Sequence, residues 1–244
     1  MLRSKLAPGT RCALEHGGAA PVIVSKDADM KDAVSRLAKG GFYHGGQVCV
    51  SVQRIFAHAE IAEELAAAIA VEGNKMKVGD PTKADSEVGP LIKPAEVDRV
   101  HDWVTAAIDG GAKLISGGEK ISESCYKPTV LFAPPADAEV SKSEIFGPVI
   151  CVYPFKDLDE AINRANSLDV SFQAAVFTKN LDIALRVYKR LDGTAIMVND
   201  HTAFRVDWMP FAGARHSGHG VGGIPHTIHE MQIEKMMVIR SDEL

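Results

Sequence analysis

Residues 21–58, with the sequence PVIVSKDADMKDAVSRLAKGGFYHGGQVCVSVQRIFAH, contain a complete strand–helix–strand unit. Residues 21–24 form a short apolar, β-branched run of the kind found in buried strands. Residues 27–38 follow with an apolar helical face, and acidic residues at the start are able to cap the first turn. Because residues 52–58 are again strand-like, the stretch predicts a βαβ unit of a parallel sheet.

The same alternation of strands and helices continues along the rest of the chain. Strands are predicted at 11–15, 113–115, 129–132, 149–153, 173–177, 194–198 and 233–239, and helices at 59–75, 94–110, 158–167 and 181–191. Residues 200–226, rich in glycine and histidine, are predicted to be loop. The pattern favours an α/β fold with a mostly parallel sheet flanked by helices.

The composition excludes several classes of protein. The 244 residues carry 27 Lys and Arg against 32 Asp and Glu, a formal charge of −5, and 46% of them are hydrophobic. These values are typical of a globular chain, and the mild negative charge argues against nucleic acid as a partner. No apolar run is long enough for a membrane span, and no secretory leader is evident. Four widely spaced cysteines without CxxC spacing indicate a reducing, cytoplasmic setting and no zinc site.

The segment Gly45-Gly46-Gln47-Val48-Cys49 is the first candidate for chemistry. Small residues ahead of Cys49 allow a tight turn that leaves the thiol approachable. A reactive thiol also needs a lowered pKa, which a helix N-terminus or a nearby cation can supply. For a lone cysteine, a buried structural role is the more common alternative.

Two carboxylates lie beside glycine-containing turns. Glu15 ends a predicted strand and lies ahead of two glycines, so it is placed to face a cleft at the carboxyl edge of a sheet and to act as a general base. In residues 144–148, Glu144 and Phe146 precede a Gly-Pro turn. A carboxylate there can accept hydrogen bonds from ribose hydroxyls, and a phenyl ring can pack on another ring. The alternatives are a surface glutamate at a turn and a Phe146 buried in the core.

Two further patterns are set aside. Residues 218–223 satisfy the GxGxxG pattern of dinucleotide-binding loops, but no strand leads into them and Pro225 follows where a helix should begin. Five of the nine histidines lie between His201 and His229, yet no acidic residue completes a set of metal ligands. We therefore expect neither a dinucleotide-binding loop nor a metal site in this region.

Together the motifs resemble the NAD(P)-dependent aldehyde dehydrogenase superfamily over nearly the whole chain. The family's Glu-x-Gly-Gly pattern is similar to residues 15–18, and its Gly-Gln-x-Cys pattern is similar to residues 46–49, with Arg54 following. Residues 144–148 resemble its Glu-x-Phe-Gly-Pro, and residues 210–218 resemble its Pro-Phe-Gly-Gly-x-Lys-x-Ser-Gly. The four motifs are in the family's order, and the first two have the family's usual spacing.

The resemblance implies a catalytic domain that oxidises an aldehyde to a carboxylic acid. Cys49 would attack the aldehyde to give a thiohemiacetal, and hydride transfer to NAD or NADP would leave a thioester on Cys49. The backbone N–H of Cys49 would donate to the oxyanion, and Glu15 would activate the water that hydrolyses the thioester. Because relatives that pass the acyl group to coenzyme A generally lack this glutamate, Glu15 implies a hydrolytic enzyme.

The resemblance also assigns the remaining site residues. Glu144 would hold the nicotinamide ribose, and Phe146 would pack near the nicotinamide. Tyr43 and Phe211 match positions that line the family's aldehyde tunnel. Arg205, in the loop ahead of Phe211, is positioned to pair with a substrate carboxylate, and a surface or interface arginine is the alternative.

The family's full chain is about twice as long, so the resemblance implies that most of an N-terminal NAD(P)-binding domain is absent. We assign residues 1–18 to the last strand and motif of that domain, 19–230 to the catalytic domain and 231–244 to an oligomerisation strand and tail. We expect the isolated chain to bind NAD or NADP weakly or not at all, and not to turn over. The predicted strand 233–239 would join the sheet of a neighbouring subunit in a homo-oligomer.

The chain departs from the family patterns at four positions, His16, Ala19, Ala212 and Arg215. None of these is the nucleophile or the base, so the departures concern the subgroup of the family more than the activity.

Two other functions stay open. One is a cofactor-independent cysteine (thio)esterase that uses the same thiol and carboxylate on activated esters. The other is a non-catalytic remnant that only associates with partner subunits.

Overall fold

The structure is a computed structural model that describes residues 3–243. Within this range, numbered in chain order, the strands are β1 (Leu14–Glu15), β2 (Ala20–Val24), β3 (Val52–His58), β4 (Lys113–Ser116), β5 (Thr129–Phe132), β6 (Val149–Phe155), β7 (Val170–Ser171), β8 (Gln173–Phe177), β9 (Ala195–Val198), β10 (Ala214–Arg215) and β11 (Gly218–His219). The α-helices are α1 (Met30–Phe42), α2 (Ala62–Lys75), α3 (Pro94–Asp109), α4 (Glu139–Lys142), α5 (Leu158–Ala165), α6 (Leu181–Arg190) and α7 (Ile224–Glu230).

A seven-stranded sheet forms the centre of the molecule, with strand order β4-β5-β6-β3-β2-β8-β9. Neighbouring strands are parallel except β4, which is antiparallel to β5 at one edge. The predicted α/β fold with a mostly parallel sheet is therefore confirmed. The unit predicted from residues 21–58 is present as β2, α1 and β3, and its two strands pair directly, with Val22 opposite Ile55.

Helices cover both faces of the sheet. On one face, Leu37 of α1 and Leu65 of α2 are fully buried in one apolar cluster. On the other face, Val104 of α3, Ile162 of α5 and Val187 of α6 belong to a second cluster. Because the central strands lie between two apolar layers, their side chains are hydrophobic on both faces.

The segments with the candidate motifs lead into the amino ends of central strands. The Glu15 motif precedes β2, Cys49 precedes β3, residues 144–148 precede β6 and Phe172 precedes β8. Because these strands are parallel, their amino ends share one edge of the sheet, and the four segments meet there. Glu15 was expected to face the carboxyl edge of a sheet, but it lies beside this amino edge, on a short strand outside the main sheet.

Several short elements differ from the prediction. The strand predicted at 11–15 is reduced to β1, which pairs antiparallel with β11. The predicted loop 200–226 also contains β10, which pairs with β7, and the start of α7. Strands of two residues are too short to show an alternating pattern, so the sequence does not reveal them.

The strand predicted at 233–239 is not formed within the single described chain, and its pairing with a neighbouring subunit stays a prediction. Within residues 3–243 the segment pairs with no other strand, and Ile233 is 88% exposed and Val238 83% exposed. Its apolar residues suit a strand, but a strand needs a hydrogen-bonded neighbour, and no described element supplies one.

No helix within the described range is long and apolar enough to cross a membrane. Among the same residues, His, Cys, Asp and Glu side chains form no group of three or more able to hold a metal ion. All four cysteines are free thiols: Cys125 and Cys151 are buried, whereas Cys12 and Cys49 are partly exposed.

Candidate active site

The loop that carries Cys49 begins with a sharp turn after α1. His44, Gly45 and Gly46 all have positive φ angles, of 52°, 64° and 70°. A Cβ atom on Gly46 would lie 2.0 Å from the carbonyl oxygen of Gly147, so only glycine fits where the two backbones touch. This contact joins the Cys49 loop directly to the loop of residues 144–148.

Gln47 braces the Cys49 loop from the side. Its Nε2 donates to the carbonyl oxygens of His44 and Pro90, both at 3.1 Å, and its Oε1 accepts from the Ile92 N–H at 2.9 Å. The side-chain amide therefore fixes the turn and ties it to the segment around Pro90. Nothing local in the sequence predicts this, because Pro90 is 43 residues away along the chain.

The thiol of Cys49 is half-buried against an apolar wall. Cys49 packs against a cluster formed by Val50, Phe172 and Phe211. The rings of the two phenylalanines lie 4.7 Å apart between centroids. Phe172 was not among the predicted site residues, since it occupies no motif and is placed here only because β8 is central in the sheet.

Three charged side chains act on the thiol of Cys49. Burial raises its pKa above the ordinary value of 9.0, and the charges of Glu15 and Glu144 raise the pKa further. Its own backbone N–H and the charge of Arg205 oppose this with smaller effects. The lowered pKa expected of a reactive cysteine is therefore absent, and the thiol has to lose its proton to a base before it reacts.

Strand pairing positions the backbone of Glu15, and a nearby glycine leaves room for its carboxylate. Glu15 lies opposite Gly218 in the β1–β11 pair. Its Oε1 is 2.6 Å from the position that a Cβ on Gly222 would take, so that glycine leaves the room the carboxylate occupies. Gly222 in turn exchanges two backbone hydrogen bonds with Phe211, at 2.7 and 3.0 Å. The same segment therefore locates Glu15 and Phe211.

Glu144 lies against the glycine pair that follows Glu15. The Gly18 N–H donates to its Oε1 at 3.1 Å. Gly17 has a φ of 93°, and a Cβ there would be 2.3 Å from the same oxygen. Burial raises the pKa of Glu144 to about 7, and the Gly18 bond and the charge of Arg99 offset only part of that effect.

Phe146 lies on the surface, so its alternative as a core residue is wrong. Its ring is 41% exposed, and its backbone has a φ of 49°. With Tyr43, Gln47 and Ile92, it lines a cavity of about 830 Å³. An exposed phenyl face next to a cavity is available to a flat ligand ring.

Two side chains outside the motifs hold the loop that carries Glu144. Gln53, buried on β3, donates from Nε2 to the Ser143 carbonyl at 2.8 Å and accepts at Oε1 from the Ile145 N–H at 2.9 Å. Arg99 on α3 donates to the Ile145 carbonyl at 2.6 Å and to Glu96 at 2.7 Å. Together they fix the backbone on both sides of residue 144.

Arg54 ties the strand after Cys49 to the glycine pair. It is 3% exposed and donates to the carbonyl oxygens of Ala19 at 3.0 Å and Ala165 at 2.9 Å. Within residues 3–243 no carboxylate pairs with it, and burial lowers its pKa to about 10. Arg54, which follows the Cys49 motif in the sequence, is therefore a buried structural cation held by backbone carbonyls.

The three predicted tunnel residues lie around the thiol. Burial and the charge of Cys49 raise the pKa of Tyr43. Phe211 is 7% exposed, and the guanidinium carbon of Arg205 lies 4.1 Å from its ring centroid. Cys49, the two carboxylates and these three residues are thus brought together, and Phe146 lines the same cavity as Tyr43.

The sequence model of the family described as "Aldehyde dehydrogenase family" matches residues 2–237. The chain is 36% identical over 239 residues to the 3-sulfolactaldehyde dehydrogenase of Priestia aryabhattai, covering 98% of this chain and 50% of that protein. It is 35% identical over 238 residues to the lactaldehyde dehydrogenase of Methanococcus maripaludis, covering 98% of this chain and 51% of that protein.

A solved structure is also similar. The glyceraldehyde-3-phosphate dehydrogenase of Methanocaldococcus jannaschii, complexed with NADP, superposes with a TM-score of 0.89 at 36% identity. The superposition covers 94% of this chain and 50% of that one. The chain thus spans about half the length of the curated relatives it matches.

Proposed function

The chain belongs to the aldehyde dehydrogenase family, and from this premise we propose that it carries the catalytic residues of an NAD(P)-dependent enzyme that oxidises an aldehyde to a carboxylic acid. The observation that carries the proposal is the meeting of Cys49, Glu15 and Glu144, from three separate segments. The charges of both carboxylates act on the thiol.

Cys49 is the nucleophile of the proposed reaction. After the thiol proton passes to a water molecule acting as base, the sulfur attacks the aldehyde carbon, a C–S bond forms and the carbonyl π electrons move to oxygen. The backbone N–H of Cys49 donates to that oxyanion, and the Phe172–Phe211 wall keeps water from it. The base is essential at neutral pH because the thiol pKa is raised above 9.0.

Glu15 is the base for the hydrolytic half of the reaction. Its exposed carboxylate takes a proton from a water molecule as the water oxygen bonds to the thioester carbon. The C–S bond then breaks, the thiolate of Cys49 returns and the carboxylic acid leaves. Glycine at position 222 leaves the space that the carboxylate occupies for this step.

NAD or NADP is the cofactor that the family implies, and the residues present fit the nicotinamide ribose end of it. Glu144 accepts from the Gly18 N–H with one carboxylate oxygen, while its other oxygen has no donor among residues 3–243, so it can accept from a ribose hydroxyl. Phe146 offers an exposed ring face. When bound, the cofactor supplies the hydride acceptor that converts the thiohemiacetal into a thioester.

We extend the proposal to a short 2-hydroxyaldehyde as the substrate. The names of the similar proteins refer to 3-sulfolactaldehyde, lactaldehyde and glyceraldehyde 3-phosphate, which all share this group. Capture of an aldehyde by Cys49 should protect the thiol from alkylation. We expect lactaldehyde to slow iodoacetamide labelling of Cys49 more than propanal does at equal concentration. Equal protection by the two aldehydes would remove the substrate class.

The proposal includes a domain division, a homo-oligomer and a cytoplasmic location. Residues 19–230 form the catalytic domain, 1–18 belong with a nucleotide-binding domain, and the exposed apolar segment 231–239 joins another subunit. The free thiols support a reducing compartment.

Ester hydrolysis tests nucleophile and base without the cofactor. We expect p-nitrophenyl acetate to acylate Cys49 with a burst of p-nitrophenolate, and Glu15→Gln to keep the burst but slow later turnover on the order of 100-fold. Cys49→Ala should abolish both phases. Cys12→Ala is the matched control, because Cys12 is the other partly exposed cysteine. Wild-type release by Cys49→Ala would contradict the proposal.

A further inference from the structure

A cavity of about 310 Å³ lies at the carboxyl edge of the main sheet, at the opposite end of the strands from the proposed active site. The neighbouring parallel strands β2 and β8 both end at this edge. The chain leaves them toward opposite faces of the sheet, because α1 packs in one apolar cluster and α6 in the other. In open α/β sheets such a divergence opens a crevice at the carboxyl ends of the strands, and ligands bind in crevices of this kind.

The floor of this crevice is apolar. Phe155, at the end of β6, is 4% exposed, and Leu158 and Ile183 pack against the same cluster. The ring of His58 meets the Phe155 ring edge to face, with 5.6 Å between the centroids. Small-molecule sites typically combine an apolar lining with a few polar groups, and this cavity is at the lower end of their range of about 300–1,000 Å³.

Three polar groups of the lining are available to a ligand, and all three are donors. His58 Nδ1 accepts from the Glu60 N–H at 3.3 Å, so the proton of the neutral ring is on Nε2. The Oδ1 of Asn180 accepts from two N–H groups in the first turn of α6, which leaves its amide N–H groups. Within residues 3–243 these two groups and the Nζ of Lys156 have no hydrogen-bond partner. A ligand therefore has to supply acceptors.

The carboxylates around the crevice limit the charge of that ligand. Asp27, in the lining, already accepts from the Thr178 hydroxyl at 2.8 Å and from the Lys179 N–H at 3.0 Å. Two more carboxylates, those of Glu60 and Asp157, belong to residues close in sequence to the lining. A dianion such as phosphate would be repelled by these three charges, whereas a single negative charge can be matched by the free ammonium group.

We propose that this crevice binds a small carboxylate with an apolar body, with its carboxylate at the three donors and its body against the apolar floor. The donors are matched because each carboxylate oxygen accepts more than one hydrogen bond. The site is separate from the proposed active site, since Cys49 precedes β3 and His58 is the last residue of that strand. Binding at the crevice therefore does not require the thiol.

Titration calorimetry of the full chain with benzoate tests the proposal. We expect a dissociation constant on the order of 1 mM, which is reasonable for so small a ligand. Benzamide, which has the same ring and no charge, should bind on the order of tenfold more weakly, and so should benzoate to Lys156→Met. Lys189→Met is the matched control, because Lys189 is an exposed lysine of α6 outside the crevice, and it should keep the wild-type affinity.

Lysine acetylation with acetic anhydride, followed by mass spectrometry, locates the bound benzoate. We expect benzoate to slow acetylation of Lys156 and to leave that of Lys189 unchanged. Binding without protection of Lys156, or equal affinity in Lys156→Met, would overturn the proposal. Phosphate binding as tight as that of benzoate would also overturn it, because the apolar floor would then play no part.

The variant Cys49→Ala separates this inference from the proposed function. It should bind benzoate like wild type, and loss of binding would place the ligand in the active site and overturn the inference. If Cys49 proves not to be the nucleophile, the expected results at the crevice are unchanged.

Discussion

Gly222 is the residue on which the position of the proposed base depends. A Cβ at this position would lie 2.6 Å from the Oε1 of Glu15 and 3.1 Å from the Phe211 carbonyl oxygen. The carboxylate ends a flexible side chain, so it can move away from an added methyl group, whereas the Phe211 backbone cannot. A change at Gly222 therefore acts on the base and leaves the nucleophile in place.

We predict that Gly222→Ala slows deacylation of Cys49 about tenfold, because a displaced base loses its alignment with the attacking water. The burst of p-nitrophenolate should be unchanged, since Cys49 is not touched. Gly79→Ala serves as control, because a Cβ there would have only the Ser86 hydroxyl nearby, at 3.8 Å. Turnover equal to wild type in Gly222→Ala would show that the alignment of Glu15 does not depend on Gly222.

The raised pKa of Glu144 predicts a pH-dependent stability. Burial raises its pKa to about 7, from an ordinary value of 4.5. The native state therefore holds this proton more tightly than the unfolded chain. The stability that protonated Glu144 contributes to the folded state is fully present below about pH 4.5 and is lost as the pH rises to about 7. We expect the melting temperature of wild type to fall relative to Glu144→Gln across this window. A difference that stays constant through the window would refute the assignment.

At the scale of elements, the site forms where several loops meet, and each loop leads into the amino end of a strand of the sheet. The motif residues could be predicted because each motif is short and contains its own turn-forming glycines, as in residues 15–18 and 46–49. Gln53 and Arg99 could not be predicted. Their partners at Ile145 are 92 and 46 residues away, and nothing local distinguishes them from other polar residues of a strand or helix.

The backbone contact between two loops predicts a destabilising substitution. Gly46→Ala would place a Cβ 2.0 Å from the Gly147 carbonyl oxygen, at a φ of 70°. Left-handed backbone costs about 1 kcal/mol for alanine, and forced separation of the loops adds about 1–3 kcal/mol. We expect urea unfolding to show a loss of about 2–4 kcal/mol. Gly89→Ala, where nothing lies within 4 Å of the added atom, should be close to neutral. Equal stability of the two variants would disprove the contact.

At the scale of the whole molecule, the fold class was predictable because strand and helix periods alternate clearly along the chain, whereas the family was identified from the resemblance of four short motifs. The predicted strand 233–239 is not formed within the single chain, because its predicted partner is a neighbouring subunit. Periodicity reports which residues suit a strand, whereas pairing depends on a neighbour that this chain does not supply in residues 3–243. The short β10 and β11 were missed because two residues carry no period.

The exposed C-terminal segment predicts association of the chain. Met231, Ile233, Met236 and Val238 are 81%, 88%, 84% and 83% exposed, so most of the apolar side chains of this segment lie in water. We expect sedimentation velocity to show oligomers for the full chain and a smaller species after deletion of residues 231–244. The double substitution Met236→Lys and Val238→Lys, which preserves the length, should act like the deletion. Oligomers of unchanged size in both variants would place the interface elsewhere.

All the candidate residues of the active site cluster at the amino edge of the sheet, so the protein can be handled through the opposite edge without touching them. Lys26 and Lys156 are exposed there, just after β2 and β6. A fluorophore or surface linker attached to either lysine would be separated from Cys49 by the length of the strands. The protein can therefore be immobilised through that side with its reactive thiol still facing the solution.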